Sequence, residues 1–372
     1  MTREKESKIT VGMTAYNAAP FIEEAINSAL NQTHSNFEFI IYNDGSTDST
    51  SHIVEHFSDK RIQFIDEKQN RGVSAARQII KQNANGDWLT WLDADDIYFP
   101  NRLEILLSYA LKHQSDLVTD AYEVIDSNGT SLHTYLETPD YLAEDNHYTR
   151  LFERNRMLPH PLISRRCYES VDYDTSLPTS EDYDYWLKCV VKGFRFSKIS
   201  DVLMRYRMVP GSLSSDNARS RKYTQIIFAK YEVEDIIRLY RLRGYPDELV
   251  NYMATLQYLF REKKKNALEY ANKPWLTDND VSREFYLGSL LLHFSELEDA
   301  ETALKRHLHE FPNSPAGWNN YGVLQFMRGT DYVTSFKKAV ALFPMYEDAH
   351  ANLADPSLKR ITFTQLSDKR IR

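Results

Sequence analysis

Cysteine is nearly absent. Cys167 and Cys189 are the only two in 372 residues, and neither belongs to a C-x-x-C pair, which excludes zinc-ribbon and thioredoxin-type sites. So sparse a complement suits a reducing compartment. Long apolar runs are lacking too. No segment approaches the roughly 18 consecutive apolar residues of a membrane-spanning helix. Met1 to Lys8 is charged and has no apolar core, so no signal peptide is expected. Basic character is also short: net charge is −8, and the one lysine run, Lys263-Lys264-Lys265, reads as a solvated helix face. The electrostatic footprint of a nucleic-acid binder is missing, and no nucleic-acid partner is expected. The expectation is a cytoplasmic protein, free or peripheral at the inner face of a membrane.

What is present is globular in character. Hydrophobic residues make up 42% and charged residues 26%. The length exceeds one ordinary compact core, so at least two domains are expected. Aromatic residues, 24 Tyr among them, supply core volume and stacking faces for ring-shaped ligands.

The first part of the chain alternates short apolar runs with helical spacing. Strands are predicted at 9–13, 37–42, 62–65 and 88–92, and helices at 21–30, 50–58 and 73–83. That β-α-β order predicts an α/β fold with a doubly wound, mostly parallel sheet, whose ligand crevice lies at the carboxyl ends of the strands. From about residue 221 strand-like runs stop and amphipathic helices take over. Here Asp299, Thr302, Lys305 and Phe311-Pro312 recur as Asp331, Thr334, Lys337 and Phe343-Pro344. Leu287-Gly288 recurs as Tyr321-Gly322 and as Leu353-Ala354. A spacing of 32 to 34 residues (Asp299 to Asp331, Leu287 to Tyr321) is that of a helix-turn-helix solenoid unit. The pattern resembles tetratricopeptide repeats over about 282–354. Domains are therefore expected at 1–220 and 221–372.

The chemistry-bearing residues gather at predicted strand ends. Trp91-Leu92-Asp93-Ala94-Asp95-Asp96 puts three carboxylates directly after a strand. If the chain stays extended, Asp93 and Asp95 share a side. Oxygen ligands in low number suit Mg²⁺ or Mn²⁺ shared with a diphosphate. Thr14-Ala15-Tyr16-Asn17 closes the first strand and Asn43-Asp44-Gly45-Ser46 the second. Tyr16 offers a ring face, and Asp44 can accept from a base N–H. Arg71 and Arg77 lie near a helix start, suited to phosphate. An acidic turn or an ordinary tight turn would account for each motif taken singly; their recurrence at successive strand ends argues for a site.

In this order and spacing the N-terminal 215 or so residues resemble family 2 glycosyltransferases of the GT-A fold. Asn70-Arg71-Gly72 belongs to the same match, and Thr179-Ser180-Glu181-Asp182-Tyr183-Asp184-Tyr185-Trp186 resembles the family's acceptor-side "ED" motif. Tyr206-Arg207 with Ser212 and Ser214 resembles its closing loop. Asn43 stands where the family commonly has a second acid, and Val209 where many members carry a histidine. The resemblance implies an inverting transfer of a sugar from a nucleoside-diphosphate sugar, uridine foremost, to an acceptor hydroxyl. Tyr16 would stack on the base and Asp44 read it. Asp95 would be the direct metal ligand, Asp93 would support ribose or metal, and Asp182 would be the general base. Glu181, Arg207 and His160 fall on the acceptor side. Trp186 falls there too, read as core beneath the site rather than a sugar platform. The acceptor would be a glycan, a lipid-linked sugar or a protein, and the repeats would serve a protein partner or a second copy. Two other readings stand beside this one. A metal-dependent nucleotidyltransferase would carry a Gly-rich phosphate loop where this chain has Thr14 to Pro20. A non-catalytic repeat scaffold would not need Asp93, Asp95 and Asp182 intact.

Overall fold

The computed structural model describes residues 7–209, 217–275 and 282–363; Ser212 and Ser214 lie outside them. The chain forms two compact units, Met1–Tyr231 and Glu232–Arg372.

The first unit is built on one mixed sheet. Its strands are β1 (Ile9–Ala15), β2 (Phe37–Asp44), β3 (Ile62–Glu67), β4 (Trp88–Trp91), β5 (Ile97–Tyr98), β6 (Leu117–Ile125), β7 (Ser131–Leu136), β8 (Leu162–Ser164) and β9 (Phe196–Arg207). They lie in the order β3-β2-β1-β4-β8-β6-β9-β5, with β7 on β6. The half β3-β2-β1-β4 is parallel, as the alternating pattern predicts. The other half is mixed: β8 runs antiparallel to both β4 and β6, while β9 runs parallel to β6. Winding reverses at β1, between β2 and β4, which makes a crevice at their carboxyl ends.

Helices α1 (Ile22–Leu30), α2 (Thr50–Glu55), α3 (Val73–Asn83) and α4 (Arg102–His113) connect these strands. α1 buries Ile22, Ala25, Ile26 and Ala29, one stripe at helical spacing, and carries Glu23 and Glu24 in its first turn, where the helix dipole favours them. α2 stops short of the predicted 58. His56 and Phe57 close back three residues, onto Ile53 and Val54, a tightening common where a helix ends. Gly12 lets α3 and β4 approach β1; a Cβ there would stand 2.6 Å from the Trp91 ring and 2.8 Å from Ile80. Short α5 (Arg165–Tyr168) follows β8, α6 (Glu181–Lys192) carries the acidic motif, and α7 (Asn217–Phe228) ends the unit. After α7, Lys230 Nζ donates to Asp174 and to the buried Asp184 on α6.

The second unit is helical: α8 (Val233–Leu242), α9 (Asp247–Phe260), α10 (Lys264–Ala271), α11 (Arg283–His293), α12 (Leu297–Glu310), α13 (Pro315–Met327), α14 (Val333–Leu342) and α15 (Glu347–Ala354). α13 starts on Ser314, whose hydroxyl accepts from the Gly317 amide at 3.0 Å, followed by Pro315. Both are strong helix-start signals. The recurrent residues pack alike in both copies. A Cβ on Gly288 (α11) would meet Leu304 (α12) at 2.7 Å, and one on Gly322 (α13) would meet Phe336 (α14) at 2.6 Å.

His307 on α12 is fully buried, with neither ring nitrogen hydrogen-bonded among the described residues. It stacks on Phe311 at 5.2 Å and fills the space that Gly317 leaves open. Burial pushes its pKa from 6.5 down to about 4. The unfolded chain therefore binds a proton that the folded one refuses between those values. This unit's stability is full above pH 6.5 and falls as pH drops toward 4, by up to about 3 kcal/mol from this residue. His307→Leu should flatten the difference in melting temperature between pH 7 and pH 5. An unchanged difference would assign the acid sensitivity to other groups.

Candidate active site

The site is built where strands end. β1 gives way to Tyr16 and Asn17, β2 to Asp44 and the following turn. These two ends are stitched together: Asn17 Oδ1 accepts from the Thr47 amide at 2.8 Å, and the Asn17 amide donates to Ser46 Oγ at 2.9 Å. Asn17 takes the left-handed conformation, φ 50°, which asparagine tolerates better than most residues. The loop leaves Tyr16 53% exposed, its ring free for a planar ligand. Thr14 and Ala15 end β1 beside Tyr42 and Asn43.

Asp44 is buried and already engaged. Its two oxygens accept from the amides of Arg71 at 2.7 Å and Gly72 at 2.9 Å, so it shapes the loop that opens α3. Gly45 makes this possible, since the Gln69–Asn70 backbone passes 2.7 to 2.8 Å from where its Cβ would lie and its φ is +71°. Arg71 remains half exposed on that loop, paired with Glu67 at 2.9 Å.

Arg77 is enclosed rather than exposed. It is 4% exposed, lies 5.3 Å from the Trp91 ring centre, and sits between two carboxylates: Asp93 at 3.3 Å and Glu181 at 3.3 Å. The sequence reading places it near a helix start, but residue 77 faces inward on α3. It therefore ties the strand-end motif to the first residue of α6.

The acidic motif is a turn rather than an extended run. β4 ends at Trp91, and the Asp96 amide donates to the Asp93 carbonyl at 3.1 Å. The chain does not stay extended here as alternation assumes, and the turn brings Asp93 and Asp96 together. With His160 they present three ligand atoms within 4.8 Å of one another. His160 is fully buried, its Nε2 3.1 Å from Asp93 Oδ2. Asp96 Oδ1 accepts from the Arg207 amide at 2.9 Å, while Oδ2 has no partner among the described residues. Arg207 donates from Nε to the Asp95 carbonyl at 2.8 Å and from Nη2 to Glu24 at 2.7 Å, clamping the turn from the end of β9.

Electrostatics follow from this crowding. Burial works against the charge of Arg77, but Glu181 and Asp93 more than compensate and hold it cationic. Burial likewise opposes ionisation of Asp93, and His160 and Arg77 outweigh it, so Asp93 lies well below the usual carboxylate range. The other carboxylates go up. Burial, with the Asp93 charge, lifts Asp95 to about 6. Burial, with Asp95 and Asp93, drives Asp96 well above its ordinary value. Burial, with Asp182 adding, carries Glu181 to about 7 despite Arg77. Burial also raises Asp182. Carboxylates outnumber local cations, and an unpartnered buried oxygen on Asp96 completes a donor set suited to a divalent cation.

Glu181 and Asp182 open α6 with different surroundings. Glu181 is buried against Arg77, while Asp182 is half-buried, its Oδ1 accepting from the Tyr183 amide at 2.6 Å. Its neighbour Glu181 meets Arg77 at 3.3 Å and the Asp93 charge reaches Asp182, so it borders the same site. Trp186 is fully buried, in edge contact with Tyr185; it is core and offers no face to a sugar.

The support for His160 is invisible in local sequence. Arg102 and Asp120 form a fully buried pair, Nε to Oδ2 and Nη2 to Oδ1 both 2.8 Å. Arg102 Nη2 also donates to the His160 carbonyl at 2.5 Å, and the His160 amide donates to Tyr122 Oη at 3.1 Å. Arg102→Met would strand the Asp120 carboxylate and should destabilise by roughly 3–5 kcal/mol. Adding Asp120→Leu should restore much of that. Urea unfolding midpoints test it, and a single mutant as stable as wild type would show that the pair does not hold this segment.

Comparison with known proteins identifies the family. Residues 10–171 match the model of glycosyl transferase family 2. An uncharacterised glycosyltransferase of Methanocaldococcus jannaschii is 31% identical, over 61% of this chain and 78% of its own length. The chain belongs to glycosyltransferase family 2. The UDP-Glc:alpha-D-GlcNAc-diphosphoundecaprenol beta-1,3-glucosyltransferase WfgD of Escherichia coli is 27% identical, over 71% of this chain and 97% of its own length. Matches to several Rickettsia relatives span about a third of those proteins' length. The crystal structure of S. aureus TarS 1-349 in complex with UDP shares the fold, with a TM-score of 0.52, 17% identity and coverage of 71% of this chain and 88% of that one. No helix among the described residues is long and apolar enough to cross a membrane.

Proposed function

We propose that this chain is an inverting, metal-dependent glycosyltransferase that moves a sugar from a uridine-diphosphate sugar to an acceptor hydroxyl in glycan or glycoconjugate synthesis. The convergence of the Asp93–Asp96 turn and the Glu181-Asp182 pair on one site, tied by Arg77, carries the reading: it sets a cation-seeking carboxylate group beside a candidate base. The likeness to WfgD, a glucosyltransferase acting from UDP-Glc on a diphosphoundecaprenol-linked sugar, supports a uridine donor and a lipid-linked diphosphate acceptor, which would place the chain at the cytoplasmic face of a membrane. Glycan and protein acceptors are the alternatives the same assay would find.

In this reading Thr14, Ala15, Tyr16, Asn17 and Asp44 form the nucleotide side, with Tyr16 on the base and Arg71 reaching the diphosphate. Arg77 acts through Asp93 and Glu181 as a positioning residue. Asp93 and Asp95, with Asp96 and His160 at the same turn, would hold Mn²⁺ or Mg²⁺, which when bound supplies charge neutralisation to the leaving diphosphate. The acceptor oxygen bonds to the anomeric carbon as the carbon–oxygen bond to the diphosphate breaks, and Asp182 takes the acceptor proton. Attack opposite the leaving group inverts the anomeric centre. The catalytic domain would be residues 1–220. Residues 221–372 would form a helical domain with tetratricopeptide-like repeats over about 282–354, which would bind a protein partner or a second copy.

The test is release of nucleoside diphosphate from a panel of sugar nucleotides with Mn²⁺ and lipid-linked or glycan acceptors. A thermal-shift panel of the same nucleotides accompanies it, since a bound donor raises stability by mass action. No release and no shift from any of them would overturn the reading.

A further inference from the structure

Two thiols have no part in the transferase chemistry. Cys167 is the third residue of α5, and Cys189 lies in the second half of α6. Both are fully buried and free, and their Sγ atoms stand 3.5 Å apart. A disulfide needs its sulfurs at about 2.05 Å, so each has less than about an ångström to travel. They are the only cysteines in the chain, so oxidation within one molecule has a single possible product.

The contact is held from outside the pair. Asp116, buried just before β6, accepts from Arg166 Nε at 2.5 Å and from Ser164 Oγ at 2.9 Å, on either side of the start of α5. The same carboxylate accepts from the Arg195 amide at 3.0 Å, just past the end of α6. Arg166 also lies over the Phe194 ring, 5.6 Å from its centre, and the Phe194 amide donates to the Cys189 carbonyl at 3.2 Å. One carboxylate thus pins both cysteine-bearing segments, and the thiols meet because their backbones are set.

The two helices differ in how easily they open. α5 has four residues and is edged by exposed Arg166, Glu169 and Ser170. α6 has twelve and buries Tyr185, Trp186 and Leu187 beside Cys189. Short, solvent-edged elements open locally at low cost, so Cys167 is the thiol that a small oxidant meets first. Burial, with the Cys167 thiol adding, pushes the Cys189 thiol well above its ordinary value. Cys189 therefore stays protonated in the closed fold, and the opening that uncovers Cys167 relieves that burial.

We propose that Cys167 and Cys189 form a modification site, at which a low-molecular-weight disulfide such as oxidised glutathione is exchanged for an internal disulfide joining α5 to α6. The Cys167 thiolate attacks one sulfur of the small disulfide, whose S–S bond breaks and releases one small thiol. Cys189 then attacks the Cys167 sulfur of that mixed disulfide, forming the internal bond and releasing the second small thiol. The small disulfide takes up the two electrons and two protons that the cysteines give up. The new bond ties the segment that leads from His160 through β8 to the helix that opens on Glu181 and Asp182. It closes a loop of 22 positions, which is already held to α3 by Asp172 on Lys81 at 2.6 Å and by the Leu177 carbonyl on Ser74. The pair stays open in a reducing medium and closes under oxidation, stabilising the first unit. No step of sugar transfer enters, so the proposal stands or falls apart from the transferase reading.

The experiment uses the full chain, reduced and then freed of reductant, with oxidised glutathione at about pH 8. A parallel incubation in urea, below the unfolding midpoint, opens α5 to the reagent. Intact mass should fall by two hydrogens, thiols titrated in denaturant should drop from two to none, and dithiothreitol should restore both. The closed chain should melt about 5–10 °C above the reduced one. Cys167→Ser and Cys189→Ser should each show no such rise. The proposal is overturned if the wild type keeps both thiols in both incubations, if it carries glutathione adducts that never resolve, or if the bond forms between two chains. It is likewise overturned if the closed chain melts at or below the reduced one, since the thiols would then not be placed to join without distorting the fold.

Discussion

Asp182→Asn should lower turnover by roughly 10²–10⁴-fold while leaving donor affinity near normal. The substitution keeps the shape of the side chain and removes the proton acceptor. Asp182 suits that role because burial raises its pKa, which brings a carboxylate nearer the operating pH and makes it a better base. Glu181 is placed differently. Its carboxylate lies 3.3 Å from Arg77 and is buried, so Glu181→Gln should act by loosening Arg77 and, through it, Asp93. That variant should show a milder loss with a weakened donor or metal response. Turnover paired with donor affinity for both variants decides between them. Normal turnover in Asp182→Asn with a dead Glu181→Gln would exchange the roles. Full turnover in both would move the base to Asp184 or His160.

Asp95→Asn should abolish transfer without unfolding the chain, and so should an excess of chelator applied to the wild type. Asp96→Asn makes the sharper comparison. Asp96 is buried with one oxygen unpartnered and a pKa driven well up, so removing its charge should leave stability unchanged or improved. If it also holds the cation, Mn²⁺ affinity measured by calorimetry should fall in Asp96→Asn even as the melting temperature holds. Protons should compete with the metal. Asp95 must lose its proton to serve as a ligand, and with its pKa near 6, Mn²⁺ affinity should decline as pH falls through that value. Full activity of Asp95→Asn would end the metal-dependent reading. Unchanged Mn²⁺ affinity in Asp96→Asn would return the ligand set to Asp93 and Asp95 alone.

These expectations differ in where they come from. Asp95 and Asp182 are legible in the sequence because each sits at a motif with a local signature: carboxylates directly after an apolar strand, and an acidic pair opening an amphipathic helix. The parallel half of the sheet is legible for the same reason, since strands and helices announce themselves by periods of two and 3.6 residues. The mixed half is not. β5 has two residues and β8 three, too few to show alternation, and their pairing partners lie far away in the chain.

By itself, then, the sequence determined what local pattern can carry: alternating strands and helices, acidic and aromatic groups at strand ends, and a recurring helical unit. Tertiary structure alone decided which of those groups meet. A turn, not an extended chain, brought Asp93 to Asp96. The inward face of α3 set Arg77 between Asp93 and Glu181. Arg102 and Asp120 set His160 beside Asp93 from 58 and 40 positions away, and Asn320 found Thr362 from 42. Such contacts form only once long loops have closed and buried polar groups must find partners, and no short-range period records where that search ends.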